Sequence, residues 1–290
     1  MFIGIDHGTT AMRFSTGKEE FKISREEARQ FSAGDLGRLS PLGEIEGIAV
    51  CYSMGDGISA ITDIRKVQDR GVVSREGAGK HIGGGTRVYD EIRASGLPAV
   101  VIPGLHRGSP TDPRFKAYSH QASPEKIGIL YEVARDLGGD IVVCDASSNT
   151  VTLLVTGGRI TGAFDACIFA PGTRHGALDV DAIRRIDRGD STANDSFLRA
   201  GVNYTMPPER RVETMAMFAA MECAAMLLIN PGAKVALAGS MAPAIAPGVE
   251  TLLSREVAVY DEWCAARGLA GIAREVFSGA TEVLGLAVER

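Results

Sequence analysis

Two short stretches set an acid beside small hydroxyl residues at the end of an apolar run. Asp6-His7-Gly8-Thr9-Thr10 follows FIGI, and Asp145-Ala146-Ser147-Ser148-Asn149-Thr150 follows DIVVC. Turn amides and hydroxyls donate to phosphate oxygens, and an aspartate holds Mg2+ through its water shell. One Asp-x-Gly-Thr turn is in most chains only a turn. Here two occur in matching positions, and a later strand-Gly-Ser turn at Gly239-Ser240 suits an adenosine. Together they point to ATP and Mg2+, with Asp6 and Asp145 as the metal-facing acids.

The elements that would present these turns are legible in the pattern. Residues 2–5, 11–16 and 19–23 alternate as strands with STGK as a turn, a polar helical stretch runs from Ser24 to Phe31, and EGIAVCYS forms a strand ending in MGDG. The glycine-rich, basic region 70–90 shows no helical period and is expected in loops, with His81 among them. SPEKIGILYEVARDLGG carries a helix signature, with Ser123 as N-cap and Pro124 in the first turn. This helix is taken to open the second domain, giving domains 1–122 and 123–290. The strand, acid-hydroxyl turn, strand, Gly-Gly hairpin and strand of DIVVCDASSNTVTLLVTGGRITGAFDA repeat the opening plan. Residues 209–229 form a methionine-rich helix expected to pack in the core, KVALA forms a strand, and helices are expected over 249–267 and 272–286.

The chain as a whole allows this organisation. Its 290 residues exceed the usual single-domain size, and a hydrophobic fraction of 45% supports a sizeable core. A net charge of -5 favours neither nucleic acid nor an anionic membrane as partner. No stretch approaches ~20 uninterrupted apolar residues, and the start lacks a basic region, so a cytoplasmic protein is expected. The five cysteines are far apart, which argues against a zinc or iron–sulfur site.

GIDHGTT, DASSNT and LAGSMA resemble, in this order, the two phosphate motifs and the adenosine motif of the acetate and sugar kinase, heat-shock ATPase and actin (ASKHA) superfamily. APGTRHGALDVDAI is similar to the acetate kinase signature Gly-Thr-Arg-x-Gly-x-x-Asp. FKAYSHQAS stands in the place of that family's histidine segment, and RGVVSREGAGKHIGGGTRVYDEI is similar to the acyl-site segment of butyrate kinase. Within this branch the chain resembles the archaeal methanogenesis marker 12 family. The resemblance implies an α/β fold of two similar ribonuclease H-like domains, ASKHA/actin-like, with mixed β-sheets flanked by helices and a nucleotide cleft between them.

It further implies phosphate and metal contacts at Asp6, Gly8, Thr9 and Thr10, with Arg13 on phosphate in the place of a lysine, and a second phosphate turn at Asp145, Ser147, Ser148 and Thr150. Arg174 would stabilise the transferring phosphoryl group, His120 would assist at the same oxygens, and Arg70 would hold the acceptor's carboxylate. Phosphoryl transfer spreads charge over equatorial oxygens, so converging cations are what such a site needs. Bland alternatives stand beside these roles: His120 as a core histidine, Arg70 as a solvated helix end, His7 and His175 as solvent-exposed, Asp165 as a turn residue. The acetate kinase acid has no clear counterpart; Asp112 is the one residue on offer, while Asp56, in a glycine-flanked turn, is a separate candidate for reaching the cleft. Two functions follow, a carboxylate kinase that forms a homodimer through its second domain, and a nucleotide-gated protein read by a protein partner in methanogenesis.

Overall fold

Phe2–His7 (β1), Ala11–Ser15 (β2) and Glu20–Ser24 (β3) form an antiparallel meander in which Ile3, Ile5, Met12, Phe14 and Phe21 turn to one buried core. The computed structural model describes residues 1–52, 54–74 and 83–290. It divides into two compact units, Met1–Asp136 with Gly158–Ile160 and Trp263–Arg290, and Leu137–Gly157 with Thr161–Glu262.

In the first unit, Gly47–Val50 (β4) runs parallel to β1, Ile61–Asp63 (β5) follows, and Ala99–Val101 (β6) lies parallel to β4. Leu105–His106 (β7) and His120–Ala122 (β8) make a separate antiparallel pair. In the second unit, Ile141–Ala146 (β9), Thr150–Thr156 (β10) and Arg159–Phe164 (β11) form the second meander. Lys234–Ala238 (β12) runs parallel to β9, and Val257–Val259 (β13) parallel to β12. Glu282–Val283 (β14) and Leu286–Glu289 (β15) close the chain and return to the first unit, where β15 pairs with β5. Among the described residues the orders are β14-β15-β5-β6-β4-β1-β2-β3 and β11-β10-β9-β12-β13. Both therefore contain the same motif, an antiparallel meander whose first strand continues into two parallel neighbours, so the repeat read from the sequence is a repeat of topology.

Helices Gly84–Ser95 (α1), Glu125–Leu137 (α2), Val180–Asp187 (α3), Ala193–Phe197 (α4), Val202–Thr205 (α5), Arg211–Ile229 (α6), Ala242–Leu253 (α7) and Cys264–Phe277 (α8) accompany the sheets. In the first unit α8 packs on β1 and against α2. A Cβ at Gly268 would lie 1.8 Å from the Gly128 carbonyl oxygen, so only glycine admits this approach of the two helices.

Several expectations change. The chain does not divide once at residues 122 and 123: α2 stays almost wholly with the first unit, and α8 comes back to cover β1. Residues 84–90 are helical, because Val88, Tyr89 and Ile92 give α1 a buried face after its glycine start. His81 lies outside the described residues. The polar stretch after β3 forms only a single 3-10 turn at Glu27–Gln30. The helices expected over 249–267 and 272–286 are α7 and α8, with β13 between them and β14–β15 after them. In α6, Met215, Glu222, Cys223 and Met226 are buried, whereas Met221 and Leu228 are 48% and 85% exposed, so the methionine stripe is core on one side only. With the turn before it, α6 is long and apolar enough by length and composition to cross a bilayer. Its buried side packs instead on β9 and β10.

Candidate functional site

In the second unit, β9 ends at Asp145, which is 3% exposed and lies between Val151 of β10 and Ala238 of β12. The Ser147 hydroxyl donates to Asp145 Oδ2 at 3.4 Å, and the Thr150 hydroxyl donates to the Pro171 carbonyl at 2.8 Å. The segment carrying Arg174 is bolted onto this turn: the Thr173 N–H donates to Ser147 O at 2.9 Å, and the Arg174 and His175 N–H groups both donate to Ser148 O, at 3.1 and 3.0 Å. The Arg174 side chain is exposed and forms no ion pair among the described residues. At the tip of β12, Gly239 has φ +90° and a Cβ there would stand 2.2 Å from Asp145 Oδ1; glycine is required on both counts. Ser240 follows, exposed, just ahead of α7. Asp145, Ser147, Ser148, Thr150, Arg174 and Gly239 are thus one cluster.

The first unit builds the parallel arrangement. Asp6, 4% exposed, faces Arg13 across the β1–β2 ladder, and Arg13 Nη1 lies 3.3 Å from Asp6 Oδ2. Gly8 sits over that pair, while Thr9 and Thr10 form an exposed bend. Arg13 is therefore held by the acid it was expected to accompany. A carboxylate engaged by arginine suits a cation kept at a distance by its waters, which is how Mg2+ usually binds. Hard oxygens of the type that Mg2+ takes stand on Asp6 in the first unit and, separately, on Asp145 and Ser147 in the second. Among the described residues no group of three or more His, Cys, Asp or Glu gathers as a direct metal cage.

His7 is half-buried and His175 is buried. His7 stacks on Tyr52 with ring centroids 5.5 Å apart. Burial, and then the Arg25 cation, pull its pKa down to about 3, so the ring is neutral. His175 packs on Phe197 and is hydrogen-bonded to Asn149 Oδ1. His120, 9% exposed at the start of β8, is bonded through Nδ1 to Asp56 Oδ1 at 2.9 Å. The carboxylate can only accept, so Nδ1 carries the proton and the ring is fixed. Arg70 is no solvated helix end. Its Nε and Nη2 donate to the two oxygens of Asp90 at 2.8 Å each, and its guanidinium lies 6.0 Å from the Tyr52 ring centroid. This pair raises the Arg70 pKa further. Asp112 is an N-cap paired with Arg114. Asp165 closes a turn but is buried.

The sequence reading passed over Arg25, Tyr52 and Glu222. The Tyr52 hydroxyl and Thr86 Oγ1 share a buried hydrogen bond of 2.8 Å, which joins the end of β4 to the first turn of α1. Glu222 accepts from the Thr152 hydroxyl at 2.7 Å and the Ala170 N–H at 3.1 Å, and burial pushes its pKa up to about 8.

No family model matches the chain. It is 44% identical over 321 residues to a UPF0285 protein of Methanosarcina acetivorans, covering 99% of both chains, and 40% identical over 328 residues to one of Methanothermobacter thermautotrophicus, covering 100% of this chain and 98% of that one. Among solved structures, a propionate kinase from Francisella tularensis superposes with a TM-score of 0.58 at 11% identity, over 92% of this chain and 98% of that one. An acetate kinase from Porphyromonas gingivalis gives 0.54 at 9%, over 94% and 98%. At such identities the likeness concerns the fold, which is that of the two-domain ASKHA kinases. The full-length matches in methanogens settle the lineage: this chain belongs to the UPF0285 family.

Proposed function

We propose that the protein is a cytoplasmic, Mg-ATP-dependent phosphotransferase of acetate/butyrate-kinase type that acts on a small carboxylate, and that its family is the one called methanogenesis marker 12. The observation carrying this reading is the anchoring of Arg174. Its backbone is hydrogen-bonded to the Ser147–Ser148 turn while its guanidinium stays exposed and without an ion pair among the described residues. A cation fixed at a phosphate-type turn is what charge on a transferring phosphoryl group requires. In this reading Asp6, Gly8, Thr9 and Thr10 in the first unit and Asp145, Ser147, Ser148 and Thr150 in the second attend the phosphates and the Mg2+ water shell. Gly239 and Ser240 attend the adenosine, and His120, fixed by Asp56, donates to the phosphoryl oxygens. A homodimer through the second unit accompanies the acyl-kinase resemblance.

Calorimetry with Mg-ATP and Mg-ADP, followed by ADP release in the presence of acetate, propionate or butyrate, tests this. Arg174→Ala should lower turnover about a thousandfold and leave Mg-ADP affinity within about twofold. Absence of heat with either nucleotide removes the reading.

One observation favours the nucleotide-gated alternative. Asp90 already neutralises Arg70, the implied receptor of the acceptor. Nucleotide binding without acid-stimulated turnover, with a protein partner whose affinity follows the nucleotide, would decide for it.

A further inference from the structure

The arginines around the tip of β1 differ in one respect. Arg70 is paired with Asp90 at 2.8 Å, Arg87 with Glu91 at 2.9 Å, Arg29 with Glu26 at 3.2 Å and Arg13 with Asp6 at 3.3 Å. Arg25 has no carboxylate partner among the described residues. Its Nη1 rests on the Met12 sulfur at 3.2 Å, and its N–H donates to the Thr10 carbonyl at 3.4 Å, beside the turn assigned to phosphate. Burial pulls its pKa below the usual arginine value, with the Tyr52 hydroxyl as a small counterweight. The neighbouring histidine, His7, is neutral and supplies no compensation. The surroundings are close: a Cβ at Gly85 would lie 1.9 Å from His7 Nε2 and 2.6 Å from Arg25 Nη1, so the glycine is what lets the two side chains sit there. Arg25 Nη2 is 3.9 Å from the Cβ position of Gly83, and Gly83 lines, with Arg29, Thr86, Arg87 and Asp90, a cavity of about 270 Å³.

A half-buried cation against a thioether, with the nearby acids among the described residues already engaged, leaves one positive charge uncompensated among those residues. A planar monoanion matches both that charge and the guanidinium fork. We infer that Arg25 is the receptor of the carboxylate of a short-chain acid that enters beside Gly83 and Thr86 of the first unit. Arg70, with its bidentate partner in place, braces Tyr52 and does not bind the acid. The cavity is below the range that drug-sized ligands fill, which favours a small acid. As the seat of the acceptor this rests on the phosphotransferase reading, but the binding itself needs no nucleotide.

The test uses the full-length protein without nucleotide, titrated calorimetrically with sodium butyrate and with inorganic phosphate and followed by thermal unfolding. Butyrate should bind the native sequence and raise its unfolding temperature. Arg25→Met should lower butyrate affinity about 10- to 100-fold, the range for one charge-assisted contact. Without ligand it should unfold no earlier than the native sequence, because it removes an uncompensated charge. Arg25→Lys keeps the charge and loses the fork, and it should weaken butyrate even if the methionine variant fails to fold. Arg70→Met should bind butyrate within about threefold of the native value. Unchanged butyrate affinity in both Arg25 variants, no heat with butyrate, or tighter binding of phosphate than of butyrate overturns the assignment. Heat with Mg-ADP and none with butyrate would remove this site alone, and the reverse would remove the nucleotide reading alone.

Discussion

At the scale of single residues, partners decide roles. Arg70 and Arg25 lie in one neighbourhood, yet among the described residues Arg70 is paired with Asp90 and Arg25 with no carboxylate. Glu222 shows the same logic with the opposite sign. Below its ordinary value of 4.5 it is protonated in the folded and unfolded chain alike; between 4.5 and about 8 only the folded chain holds the proton. The unfolded chain then binds fewer protons, so this group's contribution is full below pH 4.5 and is lost as pH rises through about 8. The slope is at most about 1.4 kcal/mol per pH unit. Glu222→Gln should flatten the loss of stability between pH 5 and pH 8, as read from urea midpoints; an unchanged slope would mean that Glu222 is ionised in the folded protein. That β1 and β9 end around Asp6 and Asp145 could be read from the sequence, because a strand followed by an acid and small hydroxyls is a local pattern. Arg25 could not. Its significance comes from Met12, His7, Tyr52 and Gly85, which approach it only after three strands and a helix have folded together.

At the scale of elements, both meanders were legible, since alternating apolar residues and short glycine turns fix strands locally. The start of α1 was not, because three glycines hide a helix whose register is set by Val88, Tyr89 and Ile92 meeting the core. Likewise α7 carries Pro243 in its first turn, where the missing N–H costs nothing, so the helix begins earlier than composition suggests. The packing of α8 on α2 depends on a backbone approach at Gly268. Gly268→Val should destabilise the first unit by about 1–3 kcal/mol, the usual range for overpacking. Hydrogen exchange of β1 amides measures this directly, and protection equal to that of the native sequence would contradict the packing.

At the scale of the molecule, repetition was visible in sequence and ownership was not. The two sheets share an order, but the first unit recruits α8, β14 and β15 from the far end of the chain. Nothing local in residues 263–290 announces that, since their affinity for β1 and β5 is a long-range fact. A chain ending at residue 262 should therefore lose the first unit and keep the second. Limited proteolysis should leave a protected fragment within 137–262, and equal protection of both halves would contradict the division.

The same split has a consequence during synthesis. As the nascent polypeptide leaves the ribosome, β1 emerges long before its covering helix α8, because the whole second unit lies between them along the chain. At roughly 5–20 residues per second, the ribosome takes roughly 13 to 50 seconds to add the intervening stretch. Throughout that delay the earliest-made sheet has an uncovered oily face, so chaperones would be met by the amino-terminal half, while the later-made insert completes itself as it emerges.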